Sequence, residues 1–152
     1  MQPGWITHEN TTNVDWALLV VRLVAAIIFA AHGAQKLFGA VGGPGLEPVV
    51  QMMGPVGYLV AIGEFFGALG LSVGFLSRFS AASLILIMIG AIVKVHAQNG
   101  FFLGEKLGFE FNLALIGLLA AVLIAGPGRI AIGRLLPLPK ARNSDQLIPV
   151  LQ

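Results

Sequence analysis

Six ionisable side chains lie inside or at the ends of strongly apolar stretches and are the residues most suited to chemistry. They are His32, Lys36, Glu64, Lys94, His96 and Glu110. An ionisable group costs about 2.5 to 3.5 kcal/mol at the centre of a bilayer, so it usually faces a protein interior and has a partner. Histidine and carboxylate side chains can transfer protons, and lysine and histidine can donate hydrogen bonds. The pattern therefore predicts a polar site inside a membrane-embedded protein.

The composition requires elements that span a membrane. Of the 152 residues, 57% are hydrophobic and 11% are charged, and the mean hydropathy is +0.88. A spanning helix needs about 20 mainly apolar residues, so the chain can form about four spans. We predict an all-α fold: an integral membrane four-helix bundle, formed by a single domain over residues 1–152, with the lipid bilayer as its first partner.

Several kinds of site and partner are excluded by residue type. The chain has no cysteine, so it cannot form a disulfide, a thiolate metal site or a CxxC redox pair. No metal site is predicted, and neither the charge nor any motif favours a nucleic-acid partner.

The N-terminus lacks the basic region and cleavage site of a secretory signal, so we expect the first apolar segment to be retained.

Four apolar segments are the predicted spans. They cover residues 16–38, 55–76, 78–97 and 110–126, and the last is short for a full span. Glycines in the second segment recur at i, i+4, i+7 and i+11, a spacing typical of a close-packing seam. These are Gly63, Gly67, Gly70 and Gly74.

Basic residues predict how the bundle is oriented. They lie in the turn between the second and third segments and after the fourth: Arg78, Arg129, Arg134, Lys140 and Arg142. Basic residues concentrate in cytoplasmic loops, so we predict that both termini are cytoplasmic. Residues 129–152 then form a cytoplasmic tail, and the polar site lies near the outer face.

Glu64 lies about ten residues into the second segment, where a carboxylate needs a proton or a neighbouring cation. Arg22, His32 and Lys36 fall within an arc of about 80° on the first segment at about 100° per residue. We predict a structural ion pair between Arg22 and Glu64, with His32 as the alternative partner. Lys36 lies near the outer end and could equally extend to the interface.

Several motifs, in this order and spacing, resemble the DoxX family over about residues 17–132. They are HGAQKLFGAVGGPG at 32–45, Gly63-Glu64, Lys94-Val95-His96, Asn99-Gly100-Phe101-Phe102, Gly108-Phe109-Glu110-Phe111 and Gly126-Pro127-Gly128-Arg129. The resemblance implies a four-helix bundle in a bacterial or archaeal cytoplasmic (inner) membrane. It also implies a relation to the DoxD-type membrane subunit of thiosulfate:quinone oxidoreductase. Phe109 and Phe111 stand where family members often have tyrosine, so no role is expected for a phenol there.

The first functional hypothesis is therefore the membrane subunit of a quinone-linked oxidoreductase that acts on sulfur compounds or in oxidative stress. A quinone needs an apolar slot, hydrogen-bond donors for its carbonyl oxygens and groups that transfer protons. The candidate ligand-binding residues are His32, Lys36, Lys94, His96, Asn99, Phe101 and Phe102, and the candidate proton relay is Glu64 and Glu110. A haem held by two histidines is a weaker alternative.

Other classes of function stay open at this point. The chain could be a non-catalytic membrane anchor or an assembly factor for soluble redox enzymes, in which case the intramembrane charges would be structural. A small transporter or channel built by oligomerisation is a third hypothesis. The residues alone do not decide whether the chain is itself catalytic, or whether it forms a homo-oligomer.

Overall fold

The computed structural model describes residues 8–103 and 107–134, and the regular structure in that part of the chain is entirely helical, which confirms the predicted all-α class. The five α-helices are α1 (His8–Phe38), α2 (Leu46–Met53), α3 (Val56–Val73), α4 (Ser77–Ala91) and α5 (Glu110–Ala125). A π-helical turn, Ile92–His96, and a 3-10 turn, Ala97–Asn99, extend α4. Residues 135–152, most of the predicted tail with Lys140 and Arg142, lie outside the described residues.

Three of the four predicted spans have the length and composition to cross a membrane. They are Asn13–Phe38, Val56–Val73 and Ser77–Asn99, with 26, 18 and 23 residues. Helix α5 has 16 residues, about 24 Å at 1.5 Å per residue, against a hydrocarbon core of about 30 Å. The fourth crossing and the cytoplasmic position of both termini therefore remain predictions.

The four long helices pack in a ring in the order α1, α3, α4, α5, and the last returns to α1. Each successive neighbour runs antiparallel, and the connection from α3 to α4 is short. Every helix contributes to the buried core, which contains Ala25, Phe29, Ala68, Leu71, Ala81, Leu84, Leu115 and Leu119. The many exposed apolar side chains on the outside of the ring suit a lipid environment rather than water.

Glycines on α3 allow α4 to approach closely. The facing pairs are Gly63 with Ile87, Gly67 with Leu84 and Gly70 with Ser80. A Cβ atom added at Gly63 would lie 2.9 Å from Ile87 Cδ1, so the Ile87 side chain would have to move to admit it. Three of the four glycines of the predicted seam thus face α4. The fourth, Gly74, ends α3 in a left-handed conformation and lies against Arg22.

Helix α2 falls in the glycine-rich connection between the first two predicted spans. Gly45 and Gly54 flank it with φ of 81° and 65°, values that glycine adopts without strain, so the chain turns sharply at both ends. Val49 on its inner face is buried, and a Cβ at Gly57 would lie 3.0 Å from the Val49 carbonyl oxygen. The short helix therefore packs tightly on the beginning of α3.

Candidate functional site

A cavity of about 650 Å³ lies at the end of the bundle where α1 and α4 end and where α3 and α5 begin. Residues from all five helices line it, and most of its wall is apolar. The ionisable and amide side chains on the wall are His32, Lys36, Glu64, Lys94, His96 and Asn112. Five of the six ionisable residues selected from the sequence are thus brought to one cavity.

Lys36 and Glu64 form an ion pair on the cavity wall. Lys36 Nζ lies 2.5 Å from Glu64 Oε2, and the two side chains are 24% and 4% exposed. Side chains on a helix point back toward its N-terminus, so Lys36, two residues before the end of α1, extends into the bundle. The ammonium therefore does not extend to the interface, which was one of the two outcomes left open for Lys36.

A close approach of α1 to α3 positions this pair. Gly33 lies one turn before Lys36, and a Cβ added there would lie 2.5 Å from the backbone nitrogen of Phe65, the residue after Glu64. Only a hydrogen fits at that position, so the two backbones come into direct contact. This contact brings the ammonium of Lys36 within hydrogen-bonding distance of the carboxylate.

The predicted ion pair between Arg22 and Glu64 is wrong. Arg22 is fully buried, and its Nη1 and Nη2 donate to the carbonyl oxygens of Leu71, at 3.1 Å, and Ile130, at 2.5 Å. Leu71 lies seven residues beyond Glu64, about 10 Å further along α3. The C-terminal end of a helix carries partial negative charge and attracts a cation, so Arg22 binds the end of α3 instead. Its position is structural.

The π-helical turn Ile92–His96 places Lys94 and His96 on the cavity wall. Such wide turns inside helices are frequent at functional sites. His96 Nδ1 lies 2.7 Å from the carbonyl oxygen of Leu107. A carbonyl oxygen only accepts, so Nδ1 carries a proton and donates it. In the neutral imidazole, Nε2 is then the unprotonated nitrogen, ready to accept a hydrogen bond or a proton.

His32 on α1 and Lys94 on the π-helical turn also line the cavity. Both side chains are exposed, so a ligand in the cavity could reach them. Within residues 8–103 and 107–134, no three side chains of the histidine, aspartate and glutamate types cluster closely enough to hold a metal ion. The polar groups of the cavity are therefore arranged as separate hydrogen-bonding and proton-accepting positions.

Glu110 and Asn99 are not brought to the cavity. Glu110 Oε1 accepts a hydrogen bond of 2.6 Å from the backbone N–H of Leu103. Asn99 Nδ2 lies 3.4 Å from the Val95 carbonyl oxygen and 3.5 Å from that of Leu107. Both side chains bind the backbone of the connection that leads into α5, so the structure places them in support of the cavity wall.

Phe101 and Phe102, which were candidates for a quinone slot, also lie away from the cavity wall. The ring of Phe101 packs edge-to-face against those of Phe102 and Phe109, with centroids 5.2 and 5.3 Å apart. Gly108 beneath them is buried against the carbonyl oxygens of this connection, where no side chain would fit. The aromatic cluster thus stabilises the approach to α5.

Asn112, Met52 and Met53 line the cavity but were not selected from the sequence. Asn112 is 6% exposed, and its Nδ2 lies 3.4 Å from Met88 Sδ, a weak acceptor. An amide in an otherwise apolar helix is costly to bury, and this was a signal available in the sequence. The two methionines belong to α2, and nothing in the sequence pattern placed that segment beside the cavity.

The comparisons with known proteins agree with this architecture. The DoxX family model matches residues 17–97, more than half of the chain. The "Inner membrane protein YqjF" of Escherichia coli (strain K12) is 32% identical over 126 residues, which cover 80% of this chain and 93% of that protein. The "Putative oxidoreductase CatD" of Bacillus subtilis (strain 168) is 29% identical over 110 residues, which cover 65% and 78%.

No solved structure matches the chain. The family match covers α1 to α4 with the π-helical turn, and therefore includes Lys36, Glu64 and His96. Three helices in the described part of the chain are long and apolar enough to cross a membrane. On these grounds the chain belongs to the DoxX family and is a multi-pass membrane protein.

Proposed function

We propose that this chain is the membrane subunit of a quinone-linked oxidoreductase in a bacterial inner membrane, and that its cavity binds the quinone head group. The observation that carries the proposal is the convergence of Lys36, Glu64 and His96 on one apolar cavity. Membership of the DoxX family and the similarity to a protein named as an oxidoreductase support the redox part of the proposal.

The size and polarity of the cavity suit such a ligand. Ligand pockets usually measure about 300 to 1,000 Å³ and combine apolar walls with a few polar groups. At about 650 Å³, this cavity can hold a substituted quinone ring and the first part of its tail. Phe29 and Leu115 are buried and close its inner end. The cavity therefore supports a binding site rather than a path across the bundle.

The polar groups of the cavity can form hydrogen bonds with both the quinone and the quinol form of the ligand. The ammonium of Lys36 has two protons beyond the one it shares with Glu64, and the amide of Asn112 is a further donor for a carbonyl oxygen. His96 Nε2 can accept the hydroxyl proton of a quinol, while the Leu107 carbonyl holds the ring and stabilises the positive charge. Glu64 can accept a second proton.

The interconversion of quinone and quinol transfers two electrons and two protons, and the side chains above account only for the protons. The chain contains no cysteine, so its residues cannot form a disulfide or a thiolate-bound cluster to take the electrons. We therefore assign the electrons to a cofactor or redox enzyme that docks with this subunit. This chain supplies the binding, orientation and proton transfer of the reaction.

A non-catalytic membrane anchor or assembly factor is the second candidate. Arg22 favours it, because that buried cation serves helix packing alone. In such a protein the pair of Lys36 and Glu64 would serve only to hold α1 against α3. The two candidates differ in whether the cavity is occupied.

Quinone content tests the proposal. The full chain is purified from its native membrane in mild detergent, and extracted quinones are quantified by mass spectrometry for wild type, His96→Ala and Asn112→Leu. Gln98→Ala is the matched control, because Gln98 is exposed beside the π-helical turn and does not line the cavity. We expect about one quinone per chain in wild type and control, and a lower quinone content in both cavity variants, which should still purify as folded proteins.

A wild-type protein that carries no quinone and does not bind added decylubiquinone would overturn the quinone proposal. That result would favour the anchor or assembly factor. Equal quinone content in all four proteins would instead show that the bound quinone lies outside this cavity.

A further inference from the structure

The packing of α3 against α4 changes along its length. At Gly67 a Cβ would lie 3.1 Å from Leu84, and at Gly63 it would lie 2.9 Å from Ile87 Cδ1, so the helices are in tight contact there. One turn further along α4, a Cβ at Gly90 would meet nothing within 4 Å. Gly90 lines the cavity, so the cavity wall is open at this position.

The cavity opens sideways near Gly90. Leu59 on α3 and Leu86 on α4 both line the cavity, yet they are 71% and 70% exposed on the outside of the bundle. Phe29, Glu64 and Leu115 line the same cavity and are almost fully buried. The cavity thus runs from the interior of the bundle to its outer surface between α3 and α4. We call the opening formed by Leu59, Leu86 and Gly90 the lateral mouth.

The lateral mouth lies at membrane depth. Leu59 belongs to the candidate span Val56–Val73, and Leu86 and Gly90 belong to Ser77–Asn99. An opening between two spanning helices faces lipid, and its apolar rim needs no water. A water-soluble ligand would have to cross lipid to reach it. A ligand with a polar head and a hydrocarbon tail can enter from the bilayer and leave its tail in the mouth.

We propose that the ligand reaches this cavity directly from the lipid through the lateral mouth, and that the mouth retains the hydrocarbon tail of a quinone whose head group lies beside Lys36 and Glu64. The proposal rests on the proposed function and adds the entry route and the part of the ligand that is recognised. The polar end of the cavity binds the head group, and the rim formed by Leu59 and Leu86 packs on the first part of the tail.

A glycine substitution tests the route without touching a polar group. In Gly90→Phe the ring would fill the mouth, and the open space around Gly90 permits it. The matched control is Gly117→Phe on α5, another helical glycine whose Cβ would meet nothing within 4 Å but which does not line the cavity. Gly90→Ala is a second control, because one methyl group leaves most of the opening free.

The probes are decylubiquinone, which has a ten-carbon tail, and ubiquinone-0, which has the same ring and no tail. Binding of each is measured with the full chain in lipid nanodiscs, relative to empty nanodiscs. The absence of cysteine removes the usual reaction of ubiquinone-0 with thiols. We expect Gly90→Phe to weaken decylubiquinone binding by at least about tenfold. Affinity at equilibrium depends on contacts in the bound state, and ubiquinone-0 has no tail in the mouth, so we expect its binding to stay within about twofold. Both control variants should match wild type.

The alternative outcomes are distinct. Equal binding of decylubiquinone by Gly90→Phe and wild type would overturn the lateral route while leaving the quinone site in place. Equal binding of decylubiquinone is also the result expected if a second copy of the chain covers the face that holds the lateral mouth. An equal loss for both probes would overturn the proposal by placing residue 90 beside the head group. If wild type binds neither probe, the proposed function fails, and the lateral route fails with it.

Discussion

Lys36 and Glu64, 28 residues apart in the chain, form an ion pair with a separation of 2.5 Å between Nζ and Oε2 at the contact of α1 with α3. The carboxylate is almost fully buried, and the ammonium is mostly buried. Removing one partner would leave the other charge unpaired in the bundle. The pair therefore contributes both to the packing of α1 against α3 and to the polarity of the cavity wall. The mutational consequences differ for the two single variants and for the double variant.

The single substitutions Lys36→Met and Glu64→Leu should each destabilise the protein, because each leaves one buried charge without its partner. Breaking a buried pair typically costs about 3 to 5 kcal/mol, whereas replacing both charges by apolar residues is often neutral. We therefore expect the double variant to recover most of the stability in thermal unfolding in detergent. Lys94→Met, at an exposed cavity lysine, is the control. A double variant that shows the sum of both losses would contradict this account.

Gly33→Ala should separate α1 from α3. Its new methyl group would lie 2.5 to 2.8 Å from backbone and Cβ atoms of Phe65, which cannot move aside as a flexible side chain would. Overpacking of this kind costs about 1 to 3 kcal/mol. Gly117→Ala is the control, because open space surrounds that position and alanine is the better helix former by up to about 1 kcal/mol. Equal melting temperatures for Gly33→Ala and wild type would contradict the close contact.

Arg22→Met should lower stability without changing the ligand site. The substitution removes the hydrogen bonds that the guanidinium donates to the carbonyl oxygens of Leu71 and Ile130, and a hydrogen bond to a charged group contributes about 1.5 to 3 kcal/mol. Arg22→Lys should recover only part of the loss, because one ammonium cannot reproduce the fork of the guanidinium. Melting temperature and quinone bound per folded chain are the two measurements. A stable Arg22→Met protein without quinone would show that Arg22 acts on the cavity after all.

Asn112→Leu should weaken ligand binding while leaving stability near that of wild type. The Asn112 amide contacts only a weak acceptor, Met88 Sδ at 3.4 Å, so little folding energy depends on it. Loss of one hydrogen bond to a ligand corresponds to about 1 kcal/mol, or about fivefold in affinity. Decylubiquinone titration and thermal unfolding separate the two effects. Unchanged affinity in this variant would mean that the amide faces an unoccupied part of the cavity.

Much of the fold could be read from the sequence because its causes are local. An apolar run long enough to cross a bilayer is visible in any window of 20 residues, and three of the four predicted spans have that length in the structure. The resemblance to the DoxX family is confirmed by the family match over residues 17–97. Intramembrane ionisable residues are costly wherever they lie, so His32, Glu64 and His96 could be selected before any contact was known.

The partners of the charged residues could not be read in the same way. Helical periodicity predicts that Arg22 and Lys36 share one face of α1. It does not predict the position of α1 along the axis of α3. That position is decided by Gly33 against Phe65 and by Arg22 at the end of α3, which are contacts between segments far apart in the chain. These contacts pair the carboxylate of Glu64 with Lys36 rather than with Arg22.

The sequence alone therefore determined the class of protein, its apolar helices and the ionisable residues that are costly to bury in a membrane without a partner. The tertiary structure decided which of those residues meet. It joined Lys36, Glu64 and His96 at one cavity, added Asn112 and α2 to the wall, and left Glu110 and Phe101 in the neighbouring connection. The physical reason is that hydropathy and helix formation act within a segment, whereas the rotation and register of packed helices depend on close contacts between segments.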